Sequence, residues 1–265
     1  MHEQVTNVLK QCTVSGKIVK LPDETLSRPL YEQVAKALKL IGGRWKGGKV
    51  MGFVFQEDPT ELLKKVSEGE KINLKKEYQF FATPAETARE MVIDADILRC
   101  NSICEPQAGQ GSIVDEILRA IRITGSNYPK IYISELMEIN RMVLRKKYAG
   151  LENVFFLEDI NPEYKDFLNV KEMFFDRIIA NPPFNKNQDI DHIRKMYELL
   201  TPGGRLVTLS SKHWMICENN KEKSFKDWLY NELEADINSI GAGTFAESGT
   251  QIETLKIIIN KQKNF

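Results

Sequence analysis

The chain has no charge bias, no cysteine framework and no long apolar run. Lys and Arg number 37 and Asp and Glu number 37, so the formal net charge is zero. This excludes a surface coated in basic charge, while a local basic patch stays compatible. The four cysteines, Cys12, Cys100, Cys104 and Cys217, include no CxxC pair. A disulfide framework and a zinc site are therefore not expected, and no metal is assigned; buried thiols in a reducing compartment fit better. No apolar stretch reaches membrane length, and residues 1–20 lack a signal-peptide core, so no membrane association and a soluble, cytoplasmic protein are expected. No internal repeat or low-complexity segment is visible.

What is present is enough apolar material for a core: 42% of 265 residues are hydrophobic, which fits one ordinary domain and a smaller one. Residues 1–20 show no clear pattern. Leu26, Leu30, Val34, Ala37 and Leu38 keep helical spacing, with Pro29 near the first turn. Two glycine pairs, Gly42-Gly43 and Gly47-Gly48, then flank Arg44-Trp45-Lys46, and β-formers follow at Val50, Phe53, Val54 and Phe55. This predicts a small β-ribbon. A short helix over 59–67 and a polar linker close a small α+β region, 1–75.

Over 76–265 strands and helices alternate, which predicts an α/β domain with a mainly parallel sheet. Pro84–Ala95 reads as a helix with Thr83 as N-cap. Strands are expected at 102–105, 130–135, 153–157, 174–180 and 205–210, with closing strands near 237–240 and 254–260. Helices are expected at 111–123, 137–148, 190–200 and 225–233.

Two stretches carry chemistry. The first is Ile103-Cys104-Glu105-Pro106-Gln107-Ala108-Gly109-Gln110-Gly111, running from strand to helix. Its glycines allow a tight turn and close ligand approach. Glu135, at the end of the next strand, is placed to accept ribose hydroxyls. An ordinary turn and a surface glutamate would look the same. No GKS or GKT occurs, which excludes a P-loop, and Glu105 would repel a pyrophosphate; an acid there suits a cationic cofactor with an amine. The second stretch is FDRIIANPPF at 175–184. The prolines stop the strand and present Asn181, two carbonyls of fixed direction and the Phe184 ring. At a parallel strand's C-terminal edge, this set suits an exocyclic amine on a flat ring.

In this combination the chain resembles class I S-adenosylmethionine-dependent methyltransferases, specifically the adenine-N6 branch with the NPPF signature and the γ-like motif order. The resemblance covers about residues 78–260. It implies a Rossmann-like seven-stranded sheet with an antiparallel last strand, for which Leu255–Ile259 is the candidate. It implies S-adenosyl-L-methionine as cofactor, held by Phe81 and Thr83 of FFATP, by Glu105, Pro106, Ala108, Gly109 and Gly111 of EPQAGQG, and by Glu135 and Leu136 of SELME. Asp159 and Ile160 of LEDI would meet the cofactor's adenine, and Thr83 its methionine carboxylate. Asn181, Pro182, Pro183 and Phe184 would be catalytic, Asn181 also bordering the cofactor. Residues 1–75 resemble a region preceding such domains in phage and mobile-element methyltransferases.

The implied reaction is methyl transfer to adenine N6, in DNA rather than RNA. The same signature also serves RNA adenine and protein glutamine. A cofactor-binding subunit without activity of its own is the reading from another class. Few residues separate Ser210 from Asp236 and few follow the last strand, so a C-terminal target-recognition domain is not expected; a protein partner or a homodimer could supply recognition. Phe184 and Phe245 of GAGTFAESGT are candidates to border the base, although Phe245 is equally a core aromatic. Lys212 and Trp214 are candidates for the substrate side, Trp214 equally for the core. His192 reads as a surface helix residue. From Gln33 to Gln56 there is no acid, and Trp45, Lys46 and Lys49 form a candidate nucleic-acid contact. Packing of Trp45 on the preceding helix is the even alternative.

Overall fold

The structure is a computed structural model that describes residues 3–55, 58–70, 83–125, 128–217, 219–241 and 254–263. The chain divides into two compact units, Met1–Phe80 and Phe81–Phe265.

In the first unit, helices α1 (Glu3–Gln11), α2 (Arg28–Leu40) and α3 (Thr60–Ser67) accompany four short strands. These are β1 (Thr13–Ser15), β2 (Ile18–Lys20), β3 (Arg44–Lys46) and β4 (Gly52–Val54). All pair antiparallel, in the order β1-β2-β4-β3. The ribbon expected from the sequence is β3–β4. The strands β1 and β2, of three residues each, are too short to display an alternation. Pro29 sits in the first turn of α2, where its missing N–H would have no helical partner anyway. Gly43 ends the α2 turn because a Cβ there would lie 2.9 Å from the Leu38 carbonyl oxygen. The helices bury Val5, Val8 and Leu9, then Val34 and Leu38, then Leu62 and Val66.

The second unit is a seven-stranded sheet in the order β10-β11-β9-β8-β5-β6-β7. Its strands are β5 (Ser102–Glu105), β6 (Lys130–Ile133), β7 (Val154–Phe156), β8 (Phe175–Ala180), β9 (Leu200–Ser211), β10 (Asp236–Ile240) and β11 (Thr254–Asn260). β7, β6, β5, β8 and β9 run parallel. β11 is antiparallel to both neighbours, β9 and β10. The seven-stranded α/β architecture with a reversed last strand is thus as expected. The chain moves outward from β5 to β6 and β7, then returns to place β8 on the other side of β5. The crevice between β5 and β8 is the topological switch point of the sheet.

Successive strand residues feed opposite faces. Ile103, Ile179 and Val207 pack with Ala88, Met91, Ile113 and Ile117 of α4 (Ala85–Asp94) and α5 (Ser112–Thr124). Their neighbours Cys104, Ile178 and Leu206 pack with Ile190, Ile193 and Met196 of α6 (Gln188–Glu198) on the other face. Both faces are covered, which explains the near-continuous apolar runs of β8 and β9.

Several local expectations are corrected. Thr83 is not the N-cap of α4: Pro84 holds that place in extended conformation, with no side-chain cap bond. β6 ends at Ile133, so Glu135 stands in the loop beyond it. LEDI is a helical turn, Leu157–Ile160. Thr201-Pro202-Gly203-Gly204 belongs to β9, which starts at Leu200 rather than at Arg205, and the β8–β9 pairing carries a register shift there. The segment after Asp227 is a π-helical turn, Trp228–Glu232. All four thiols are free, but only Cys100 and Cys104 are buried. Among the described residues no helix is long and apolar enough to cross a membrane.

Candidate active site

The loops after β5, β6, β7, β8 and β9 emerge at the same C-terminal sheet edge, and they carry the glycine loop, Glu135-Leu136, LEDI, NPPF and Lys212 respectively. The glycine loop turns because Gly109 and Gly111 adopt positive φ, 56° and 87°. The Gly111 N–H donates to the Ala108 carbonyl at 2.7 Å, closing the turn. A Cβ on Gly111 would stand 2.0 Å from the Tyr148 hydroxyl, which itself donates to the Gly111 carbonyl at 3.0 Å. Glycine is therefore required there twice, for its backbone and for its lack of a side chain. The Ala108 N–H reaches the Ser134 carbonyl at 3.0 Å, tying the loop to the end of β6.

Glu135 is the buried anchor of this edge. Its Oε2 accepts from the Gly109 N–H at 2.7 Å and its Oε1 from the Met137 N–H at 2.8 Å. Burial pushes its carboxyl up to about 7, against the opposing hydrogen bonds from Met137, Gly109 and the Asn140 side chain. A carboxylate has about four acceptor positions, so a diol arriving at Glu135 shares it with the loop's own donors. Arg141, which sequence reasoning passed over, clamps this loop. It donates to the carbonyls of Glu135 at 3.0 Å and Leu136 at 2.5 Å and pairs with Glu158 at 2.8 Å. Arg145 holds Asp159 with two bonds, of 2.6 and 3.1 Å. Beside these charged clamps Leu136 and Ile160 are 52% and 54% exposed, two apolar side chains presented at the ends of neighbouring strands.

The NPPF turn is fixed from the segment before the first strand of its own sheet. Asn181 Nδ2 donates to Thr83 Oγ1 at 3.1 Å, and Thr83 is buried. This bond sets the plane of the Asn181 amide, and thereby the direction of its Oδ1. It also explains why Thr83 does not cap α4. Phe184 is half-buried and packs against the core on the α4–α5 face. Two successive left-handed residues, Lys186 (φ 53°) and Asn187 (φ 59°), follow the turn. The helix after it is locked by Asp189. Its Oδ2 accepts from the Ser210 and Ser211 hydroxyls and the Ser211 N–H, each at 2.9 Å. Burial raises the Asp189 carboxyl above its ordinary value despite these bonds.

Two acceptors at the glycine loop are buried without a hydrogen-bond partner among the described residues, Glu105 Oε2 and Gln107 Oε1. Burial lifts the Glu105 carboxyl well above the usual range; Asp115 and Glu135 add to this, while the Val114 N–H and Lys147 oppose it. Gln107 Nε2 meets His192 Nδ1 at 2.9 Å. Burial lowers the affinity of His192 for a proton, so its neutral ring accepts at Nδ1. His192 is 8% exposed, which corrects its reading as a surface residue: it lies on the sheet-facing side of α6 with Ile193. Trp214 is core, 1% exposed, with its indole N–H on Ser210 Oγ at 2.8 Å. Lys212 is half-buried at the end of β9. Trp45, Lys46 and Lys49 lie in the first unit, and Phe81 and Phe245 lie outside the described residues. The ligand atoms of His213, Cys217 and Glu222 fall within 4.8 Å of one another, a grouping that the single CxxC criterion could not reveal.

No family model matches the chain, and no curated protein matches it. Solved structures do. A protein assigned as a class I S-adenosylmethionine-dependent methyltransferase of Listeria monocytogenes superposes with TM-score 0.55 at 12% identity, over 77% of this chain and 67% of its own. A modification subunit assigned to a type I restriction enzyme of Vibrio vulnificus gives 0.56 at 17% identity, over 92% and 55%. The methyltransferase subunit of a type I restriction-modification system of Streptococcus thermophilus gives 0.54 at 19% identity, over 69% and 44%. What is shared is the fold. The chain spans about half the length of the two restriction-system subunits.

Proposed function

We propose that the protein transfers a methyl group from S-adenosyl-L-methionine to the N6 amine of adenine in DNA. The observation that carries this is the Asn181 amide at the end of β8, set by Thr83 beside the glycine loop of β5 at the sheet's switch point.

The residues fit the donor. The orphaned acceptors Glu105 Oε2 and Gln107 Oε1 call for a cationic or N–H donor, which an amino-acid ammonium provides. The Thr83 hydroxyl accepts from Asn181 and keeps its own proton for a carboxylate. Glu135 suits the ribose, with Gly109, Gly111, Pro106 and Ala108 forming the close-packed turn beside it. Leu136 and Ile160 suit the faces of a flat ring, with Asp159 toward its amine. When bound, the cofactor supplies an electrophilic methyl group on a sulfonium.

The chain's own part is positioning. The N6 lone pair of adenine is delocalised into the ring. Hydrogen bonds from its two N–H groups to Asn181 Oδ1 and the Pro182 carbonyl draw the nitrogen toward tetrahedral geometry and free that pair. An amide is no base, so the proton leaves to water after transfer. Phe184 stacks on the base, which must leave the duplex to reach the turn, at a cost of a few kcal/mol. Stacking returns about 1–3 kcal/mol. Holding both reactants in line supplies most of the rate.

The experiment is label partition. The protein is incubated with methyl-labelled donor and, in separate tubes, with duplex DNA, RNA and protein. Label recovered as N6-methyladenine in DNA supports the proposal. Label confined to RNA or to glutamine in protein corrects the substrate, and tight donor binding with no transfer points to a subunit that acts through a partner.

A further inference from the structure

The first unit contains a groove of about 500 Å³ between α2 and the β3–β4 ribbon, within the range of about 300–1,000 Å³ usual for ligand sites. One wall is a helical stripe with i, i+4 spacing: Tyr31, Ala35 and Lys39, with Glu32, Lys36 and Leu40 beside it. The other wall is the cross-strand pair Trp45 and Phe53. Trp45 is 41% exposed although its ring meets Tyr31 edge-on at 6.4 Å and Phe53 at 5.2 Å. Trp45 thus packs on α2, one of its two alternatives, and still presents a large aromatic surface.

The charge of the groove is positive. Lys36 and Lys39 are exposed on its rim, and Glu32, its acid, is paired with Arg28 at 3.1 Å. Among the described residues Lys36, Lys39, Lys46 and Lys49 make no ion pair. Strand alternation puts Arg44 and Lys46 on the ribbon face opposite Trp45, so the cations that accompany the indole are those of α2.

We infer that this groove binds an unpaired nucleotide of a single-stranded nucleic acid, its base against Trp45 and its flanking phosphates at Lys36 and Lys39. A concave site of this size admits one ring, and an aromatic platform needs a base whose face is open, so a duplex is disfavoured. The inference rests on the nucleic-acid reading above but not on catalysis. It gives the chain a second place to hold the strand that base flipping exposes.

The test is binding of fluorescent single-stranded DNA, single-stranded RNA and duplex DNA by anisotropy, over a series of salt concentrations. Trp45→Ala is expected to weaken single-strand binding about 5- to 150-fold. Trp45→Phe keeps most of the affinity and serves as the variant that preserves the ring packing. Lys36→Gln with Lys39→Gln is expected to reduce the salt slope by about 1.4, two phosphates at about 0.7 each. Binding is measured without the methyl donor, which separates this site from methyl transfer. Preference for either single strand over duplex, with these dependences, supports the groove and names its source. Duplex bound more tightly than either strand, or affinity indifferent to Trp45→Ala and to the lysine pair, overturns it even if methylation stands.

Discussion

The two units place their polar groups in opposite environments. In the second unit they are buried or half-buried and committed to partners before any ligand arrives: Glu135 on Gly109 and Met137, Asn181 on Thr83, Asp189 on Ser210 and Ser211. In the first, Lys36, Lys39, Lys46 and Lys49 stand in water. A buried, preset group contributes strongly to the chemistry and is costly to disturb. A solvated cation contributes by attraction that salt screens. The second unit is therefore expected to respond to single substitutions with large, salt-insensitive losses, and the first with graded, salt-sensitive ones.

The largest test of this contrast is the pH dependence of stability. Glu135 is raised in the folded protein from 4.5 to about 7. Its protonated form is thus favoured by folding. The stabilisation is complete below about pH 4.5 and is lost as pH rises through 7, on the order of 3 kcal/mol. Urea melts of the donor-free protein between pH 5 and 8 should show this decline, and Glu135→Gln should flatten it. A wild-type profile as flat as the variant's would mean that Glu135 is not held in the buried state described. Next in size is Thr83→Val, which removes the partner of Asn181 while keeping the volume. It should lower the rate of transfer at saturating donor about 10- to 100-fold, or about 1.4–2.7 kcal/mol, and also weaken donor binding through the lost carboxylate contact, at low and high salt alike. Weakened donor binding with an unchanged rate at saturation would mean that Thr83 serves the donor alone and does not set the Asn181 amide. The smallest effect belongs to the first unit, where the paired Lys36 and Lys39 substitutions should be visible at low salt and fade at high salt.

Much of the second unit was legible in the sequence because its signals are local. The strand before Asn181, the glycine turn and the β/α alternation each follow from a few adjacent residues, and the antiparallel last strand follows from the family resemblance. What was not legible depends on contacts distant in sequence. Thr83 looked like a cap because its neighbour is Pro84; its hydroxyl is used 98 residues away. His192 looked like surface because it lies between acidic and basic residues, yet the turn of α6 brings it onto Gln107. Arg141 and Arg145 lie in a basic stretch that reads as a solvated helix, and only the fold shows that they clamp the loops after β6 and β7. In the first unit the ribbon was visible from its glycines, while β1 and β2 are too short to announce themselves. The role of Lys36 and Lys39 follows from Trp45 facing α2, which no spacing rule specifies.

In the proposed reaction the Asn181 amide activates the accepting nitrogen. The most direct measurement is single-turnover methyl transfer to adenine in DNA by the parent and Asn181→Ala, with donor affinity determined calorimetrically on the same samples. Donor binding within a few-fold of the parent is expected, with transfer lowered at least about 100-fold, in line with the loss of one preset polar contact to the reacting centre. Transfer by Asn181→Ala at the parent rate, with N6-methyladenine still formed, would contradict it.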